Sequence, residues 1–299
     1  MTWGSFGPSK TWRQQRWIEG DREYYDDEWG NVWCRMVCGS RGGEVCRPFL
    51  TDWRRLDELR VPDYTDPQRS AEMKRKFSAP TDKFKMASIG GWVFNDSRYL
   101  RKLEVYLADM IEYPEHLDRL HEIVAGVYEA KIHAAGRAGA EGITFCEDLG
   151  TQTGLLYSPA LFRRYFKEMY TRLFGLAHDY GMKVFMHSCG RNWDLLDDLI
   201  DAGVDCFQFD QPALYDMPAL AEKLRARRVA LWSPVDIQKV LPTGDRDYIE
   251  AQTDYMLDIF RGGLIMKNYG DLEGIGVRQE WDDWAYRRIC ARYGIDGGT

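Results

Sequence analysis

His187 and Cys189 stand two residues apart in the stretch KVFMHSCG, residues 183–190. Val184, Phe185 and Met186 are an apolar run that reads as a short buried strand, and Gly190 marks the turn that ends it. If strand geometry persists, His187 and Cys189 point to the same side, because successive side chains alternate. An imidazole and a soft thiolate so placed can both bind one zinc ion. A core histidine beside a small buried cysteine is the plainer use of the same residues.

Other polar residues collect where other apolar runs end. Glu147 and Asp148 follow residues 142–146, and Asp210 and Gln211 follow 204–209. Asp236 follows 229–232, and Asn268, Tyr269 and Asp271 follow 264–266. An acid at the end of a buried strand costs several kcal/mol unless it is paired. Asp210 is therefore either functional or tied to donors, and the same holds for Asp236. Asp148 suits a leaving-group acid or a substrate hydrogen-bonding group, and equally a loop cap. Gln152, Asn192 and Gln211 are candidate substrate contacts, with Asn268 and Tyr269 at the same mouth. Trp92 and Phe94 can wall an apolar pocket or simply pack. Cys146 and Cys206 lie among bulky apolar residues and read as inert core thiols. Cys34, Cys38 and Cys46 match no common zinc spacing.

These residues need elements to hold them. From residue 84 the chain alternates strand and helix: strands near 84–89, 142–146, 183–187, 204–209, 229–232 and 264–266, and helices near 99–110, 115–138, 158–177, 192–203, 217–227, 247–260 and 278–292. Ser158-Pro159 is a helix start, with Ser at the N-cap, and Asn192 is placed to cap the next helix. The strands are apolar throughout rather than alternating, so both faces are buried and the sheet is parallel. Repeated units of this kind build a (β/α) barrel or a doubly wound sheet. No GxGxxG or P-loop sequence follows a strand. In a barrel the strand ends converge at one mouth, where active sites sit.

The first 82 residues differ. Six of eleven tryptophans fall within the first 53 residues, and residues 24–35 suit a hairpin around Gly30. Such a segment caps a core or makes an oligomer contact; with six strands counted from residue 84, either part of residues 1–60 supplies the missing wall of a barrel, or the barrel is incomplete, or another chain completes it. The net charge of −7, without a basic run, disfavours nucleic acid. No apolar run of about 18 residues spans a membrane. The N-terminus lacks the apolar core of a signal peptide, and seven scattered cysteines suit a reducing compartment. The expected location is the cytoplasm.

Three stretches carry a resemblance: DLGTQTGLLYSP (148–159), AHDYGMKVFMHSCG (177–190) and LIDAGVDCFQFDQP (199–212). In order and spacing they resemble the uroporphyrinogen decarboxylase superfamily, a set of (β/α)8 barrels, over about residues 84–292. That superfamily includes zinc-dependent methyltransferases that exchange methyl groups with corrinoid proteins and thiols. The HxCG pairing is similar to that branch, and the resemblance implies His187 and Cys189 as zinc ligands. There the third ligand is a cysteine after the last barrel strand. The matching stretch here, residues 262–271, has none, which leaves Asp271 or Glu147 to supply an oxygen. The decarboxylase's arginine-rich N-terminal motif has no match.

The expectation is thus an α/β chain with a (β/α)8 TIM-type barrel over residues 83–299 whose N-terminal part is incomplete or modified. The function expected is zinc-dependent methyl transfer between a small methylated substrate or thiol and a corrinoid protein. Two alternatives stand beside it: a metal-independent decarboxylase or lyase using Asp148 and Asp210, and a non-catalytic barrel that binds a ligand or partner. A homodimer is plausible.

Overall fold

The computed structural model describes residues 1–38 and 42–295. Its first strand, β1 (Thr2–Ser5), precedes an antiparallel meander of β2 (Arg16–Glu19), β3 (Arg22–Asp26), β4 (Val32–Met36) and β5 (Glu44–Arg47). After α1 (Ala71–Ser78), strands and helices alternate. They run β6 (Lys85–Gly90), α2 (Val93–Arg101), α3 (Leu103–Glu112), α4 (Pro114–Arg137) and β7 (Gly142–Cys146). Next come α5 (Pro159–Tyr165), α6 (Lys167–Asp179), β8 (Lys183–His187), α7 (Leu196–Ala202) and β9 (Cys206–Gln208). The chain closes with α8 (Met217–Ala226), β10 (Ala230–Ser233), α9 (Arg246–Ile259), β11 (Leu264–Met266) and α10 (Gln279–Tyr293).

Seven strands pair in parallel in the order β1-β6-β7-β8-β9-β10-β11. Trp3 of β1 stacks on Trp232 of β10 at 5.9 Å, so the two ends of the sheet approach each other across its concave side. The fold is a (β/α) barrel with one strand fewer than eight among the described residues.

Two layers of core explain why the strands are apolar throughout. Ile143, Phe145, Val184, Met186, Phe207 and Leu231 point outward into the helical layer. Met86, Phe185 and Cys206 point inward, with Phe84, Trp232 and Ile265 beside them, and fill the floor of the barrel. The helices supply the other wall. Ser158 accepts a hydrogen bond from the Leu161 amide at 3.3 Å, capping α5 as its sequence implies.

Four expectations about elements need correction. The boundary at residue 82 cuts through the barrel, because β1 pairs with β6 and the Thr2 amide bonds to Phe84 O at 2.8 Å. The sequence TWGS carries no apolar run, so only the distant pairing reveals it as a strand. Residues 99–110 are not one helix: Lys102, at φ +68°, separates α2 from α3. The buried pair Arg101–Asp109, at 2.7 Å, spans that break and offsets its strain. The single helix expected from Ser158 divides at Phe166 into α5 and α6. Asn192 makes no cap bond with its side chain.

The N-terminal segment is tied down by buried arginines. Arg69 grips the Glu28 carboxylate with two bonds of 2.9 Å, donates to Gly7 O, and lies 3.7 Å over the Tyr64 ring. Arg101 donates to Leu50 O at 2.6 Å, and the Leu50 amide bonds to Leu100 O. The hairpin expected around Gly30 is present as β3–β4, with Gly30 at φ +91°.

Inside the helical layer His121 of α4 meets Tyr106 of α3 at 2.6 Å, and both are fully enclosed. Burial holds the imidazole down at about 3, so it is neutral and accepts the tyrosine proton. Between an unfolded value of about 6.5 and that folded value, the unfolded chain binds a proton that the folded chain refuses. Stability contributed here is present above about pH 6.5 and is lost as pH falls. The urea midpoint should drop between about pH 7 and pH 4.5 more steeply in the native chain than in His121→Gln; equal slopes would refute this assignment.

Candidate metal centre

The strands at the heart of the barrel are in register: Cys146 of β7 lies beside His187 of β8, and His187 beside Gln208 of β9. Inward positions that are apolar at the floor become polar at this level. His187 is thereby brought to the mouth on a rigid strand, and the chain turns just after it.

That turn folds Cys189 back towards His187. Cys189 Sγ lies 3.3 Å from His187 Nε2. The Asp148 carboxylate, from the loop after β7, closes the triangle: its Oδ1 is 3.5 Å from the same nitrogen and accepts the Cys189 amide at 2.8 Å. The three ligand atoms lie within 4.8 Å of one another, the one such group of three among the described residues. Ligands about 2.0–2.3 Å from a tetrahedral zinc stand roughly 3.3–3.8 Å apart. The nitrogen–sulfur and nitrogen–oxygen separations match that spacing without rearrangement.

The opposite side of the imidazole is fixed by a chain of donors. Lys267 donates to Asp210 Oδ1 at 3.1 Å, and Gln208 Nε2 donates to the same oxygen at 2.7 Å. This leaves Gln208 Oε1 facing His187 Nδ1 in a short contact. An amide oxygen only accepts, so Nδ1 carries the proton and Nε2 presents its lone pair to Cys189 and Asp148. Burial pushes the Cys189 thiol well above its usual range, and the Asp148 and Asp210 charges push it the same way. A thiolate there needs a cation, which is the chemistry a divalent metal brings. Histidine nitrogen, cysteine sulfur and carboxylate oxygen form a donor set that fits zinc.

The ligand set differs from the one expected. Glu147 faces away from the triangle, into the core. It accepts the amides of Phe94 and Asn95 at 2.8 and 2.9 Å and the Tyr170 hydroxyl, and burial raises it to about 8. It anchors the N-terminus of α2. Asp271 stays outside the cluster and accepts the Gly274 amide at 3.4 Å in its own turn. The third oxygen comes from Asp148 because the register of β7 on β8 delivers that residue beside His187.

Other expected residues have other work. Asp236 is buried and accepts the amides of Ala213, Gln238 and Lys239, so it organises the loop after β10 rather than serving as an acid. Trp92 stacks on Phe145 at 4.2 Å and on Phe174, and Phe94 packs on Tyr157 and Tyr106; both are core, not pocket wall. Asn192 Nδ2 donates to Gly190 O at 3.2 Å and Gln211 Oε1 accepts the Gly190 amide at 3.3 Å, so both hold the turn after Cys189. Gln152 is exposed on the loop after β7, and Asn268 donates to Asp282 at 2.5 Å. Tyr269 stays at the mouth, 5.9 Å from the Lys267 ammonium, where burial first and then the Asp210 charge raise its phenol.

Three participants escaped the sequence reading. Gln208 and Lys267 have no motif, although Gln208 sits two residues before Asp210 in FQFD and must share its face. Cys146 was expected to be an inert core thiol, yet it is exposed and lines a cavity of about 410 Å³ together with Asp148, Gly90, Tyr99, Trp29 and Trp33. The meander of β2–β5 supplies the last two, and so roofs the mouth over β6 and β7.

A parallel barrel with a metal-capable cluster at its C-terminal mouth places the chain among barrel enzymes. A family model for uroporphyrinogen decarboxylase (URO-D) matches residues 94–268, more than half the chain, and the chain belongs to that family. No curated protein matches its sequence. Among solved structures it is similar to a methyltransferase from Methanosarcina mazei, at 16% identity and a TM-score of 0.69, over 89% of this chain and 77% of that one. That likeness shows a shared fold. More distant are an uncharacterized B. cereus protein (16% identity, 57% and 42% covered, TM-score 0.36) and a chitinase from Chromobacterium violaceum (10% identity, 69% and 79% covered, TM-score 0.37). At those scores neither informs the site.

The turn that carries Cys189 leaves no room for a side chain. Gly190 has φ +79°, and a Cβ there would sit 2.5 Å from Gly150 O and 2.7 Å from Thr151 O. Gly190→Ala should cost about 3 kcal/mol or more in denaturant unfolding, since both strain and backbone overlap apply. A loss under about 1 kcal/mol would mean that the two loops are not locked together.

Proposed function

We propose that this chain is a zinc-dependent methyltransferase, moving a methyl group between a small methylated substrate or thiol and a corrinoid protein. The observation that carries the reading is the convergence of His187 Nε2, Cys189 Sγ and Asp148 Oδ1, with the His187 tautomer set from behind by Gln208. Three protein ligands and an open position are the pattern of a catalytic rather than a structural zinc site. When bound, the metal would supply a Lewis acid that holds a thiol as thiolate or polarises a leaving group.

The chain's own residues do the rest. Gln208, Asp210 and Lys267 form a relay that orients His187, so Asp210 is a positioning residue. Asp148 holds the Cys189 amide as well as offering its oxygen to the metal, which fixes the turn and the ligand set together. The cavity that Asp148 and Cys146 share with the aromatic roof holds the small substrate. A corrinoid protein would approach the same mouth. All seven cysteines are free thiols, which supports a cytoplasmic setting, and no described helix is long and apolar enough to cross a membrane.

Elemental analysis of the purified chain should find about one zinc per chain. His187→Ala and Asp148→Ala should lose it, whereas Asp271→Ala should keep it. Full metal in Asp148→Ala, or none in the native chain after careful handling, would sink the reading.

Gln208→Leu tests the relay. It should bind zinc roughly 10–100-fold more weakly, with unchanged stoichiometry at saturation, as second-shell losses do. An unchanged affinity would detach Gln208, Asp210 and Lys267 from the metal.

A further inference from the structure

The cavity beside the cluster has a character of its own. Its wall carries three carboxylates, Asp27, Asp96 and Asp148, and three aromatic rings, Trp29, Trp33 and Tyr99. Among the described residues no lysine, arginine or histidine belongs to that wall. We infer that it receives a small quaternary ammonium cation, the methyl-bearing end of the substrate. Calling the occupant a substrate rests on the methyl-transfer reading; its charge rests on the cavity alone.

The argument turns on which hydrogen bonds are already made. Asp27 Oδ1 accepts the Asn31 amide at 2.9 Å. Its Oδ2 accepts Asn31 Nδ2 at 2.9 Å and Trp33 Nε1 at 2.7 Å. Asp96 Oδ2 accepts the Tyr128 hydroxyl at 2.6 Å. The Trp33 indole N–H is therefore spent on Asp27, and beside the Ser88 hydroxyl and the Cys146 thiol what remains for a ligand is ring surface and negative charge. A primary ammonium would arrive with donors to satisfy. A quaternary ammonium brings charge and no donors, and aromatic faces attract it through their quadrupoles. An anion would face three carboxylates, and a neutral ligand without donors would gain nothing from them.

The nearby bases do not cancel that field. Arg69 is engaged by Glu28. Arg98 donates to Asn95 and stacks 4.5 Å from the Tyr99 centroid, where it lines the adjoining groove. Lys131 lies behind Gly90, donates to Ile89 O at 2.9 Å, and offers Asp96 a partial counter-charge. Lys267 is held by Asp210. Burial raises both Asp27 and Asp96, and for Asp96 the Lys131 charge only partly opposes it.

Choline and its uncharged isostere 3,3-dimethylbutan-1-ol separate charge from shape. Titrated into the full chain and followed by tryptophan fluorescence and calorimetry, choline should bind at least ~10-fold more tightly than the alcohol. Trp33→Leu and Tyr99→Leu should each weaken choline by ~10-fold and leave the alcohol unchanged. Equal affinities for the two probes, or no saturable binding of either in the millimolar range, would overturn the inference. Choline binding to a native chain that holds no zinc would uphold the cavity and defeat the methyl-transfer reading. A zinc-loaded chain indifferent to choline would do the reverse.

Discussion

The site depends on the register of three neighbouring parallel strands. Cys146, His187 and Gln208 lie side by side on β7, β8 and β9, all facing into the barrel. Strand side chains alternate with period two, so a slip of one residue would turn His187 into the helical layer and Met186 to the mouth. The apolar outward row of Ile143, Phe145, Val184, Met186 and Phe207 makes such a slip expensive. Hydrophobic burial on the outer face thus fixes polar geometry on the inner one. The Gln208 contact that sets the His187 tautomer follows from the same alignment, and so does the arrival of Asp148 beside Nε2.

A second constraint acts on the loops. The turns after β7 and β8 touch backbone to backbone: the Arg191 amide bonds to Thr151 O at 2.8 Å, and only glycine fits at 190. Asp148, Gln211, Asn192 and Tyr215 all donate to or accept from this turn, or brace it. Several residues that look like substrate contacts in the sequence are therefore builders of the ligand geometry. Their polarity serves the backbone of residues 189–192, which lacks a regular ladder of its own.

The N-terminal segment completes the mouth. Its first strand enters the barrel wall, and its meander brings Trp29, Trp33 and Asp27 over the ends of β6 and β7. Arg69 and Arg101, both buried, clamp it by bonds to carboxylates and backbone carbonyls. Removing either would leave buried carboxylates and carbonyls without partners, which is why such contacts hold one arrangement rather than many. The roof and the metal-capable cluster meet at Asp148 and Cys146, so ligand shape and metal position are set by one set of atoms.

By itself the sequence determined the repeating strand–helix order, the parallel sheet, the polar mouth and the HxCG pair. Each of these is local: a run of apolar residues, a cap such as Ser158, or two residues on one strand face. The tertiary structure alone decided the rest. Asp148 rather than Asp271 or Glu147 stands beside His187 and Cys189, because strand register, not distance along the chain, selects a partner. Glu147 went to the core because the open amides at the start of α2 needed an acceptor. Thr2–Ser5 became a barrel strand through backbone pairing to β6, for which its side chains carry no signal. Trp92 and Phe94 packed inward, while Trp29 and Trp33 faced the cavity, although all four are aromatic residues near strand ends or turns. Side-chain type fixes what a residue can do, and only the folded neighbours fix what it meets.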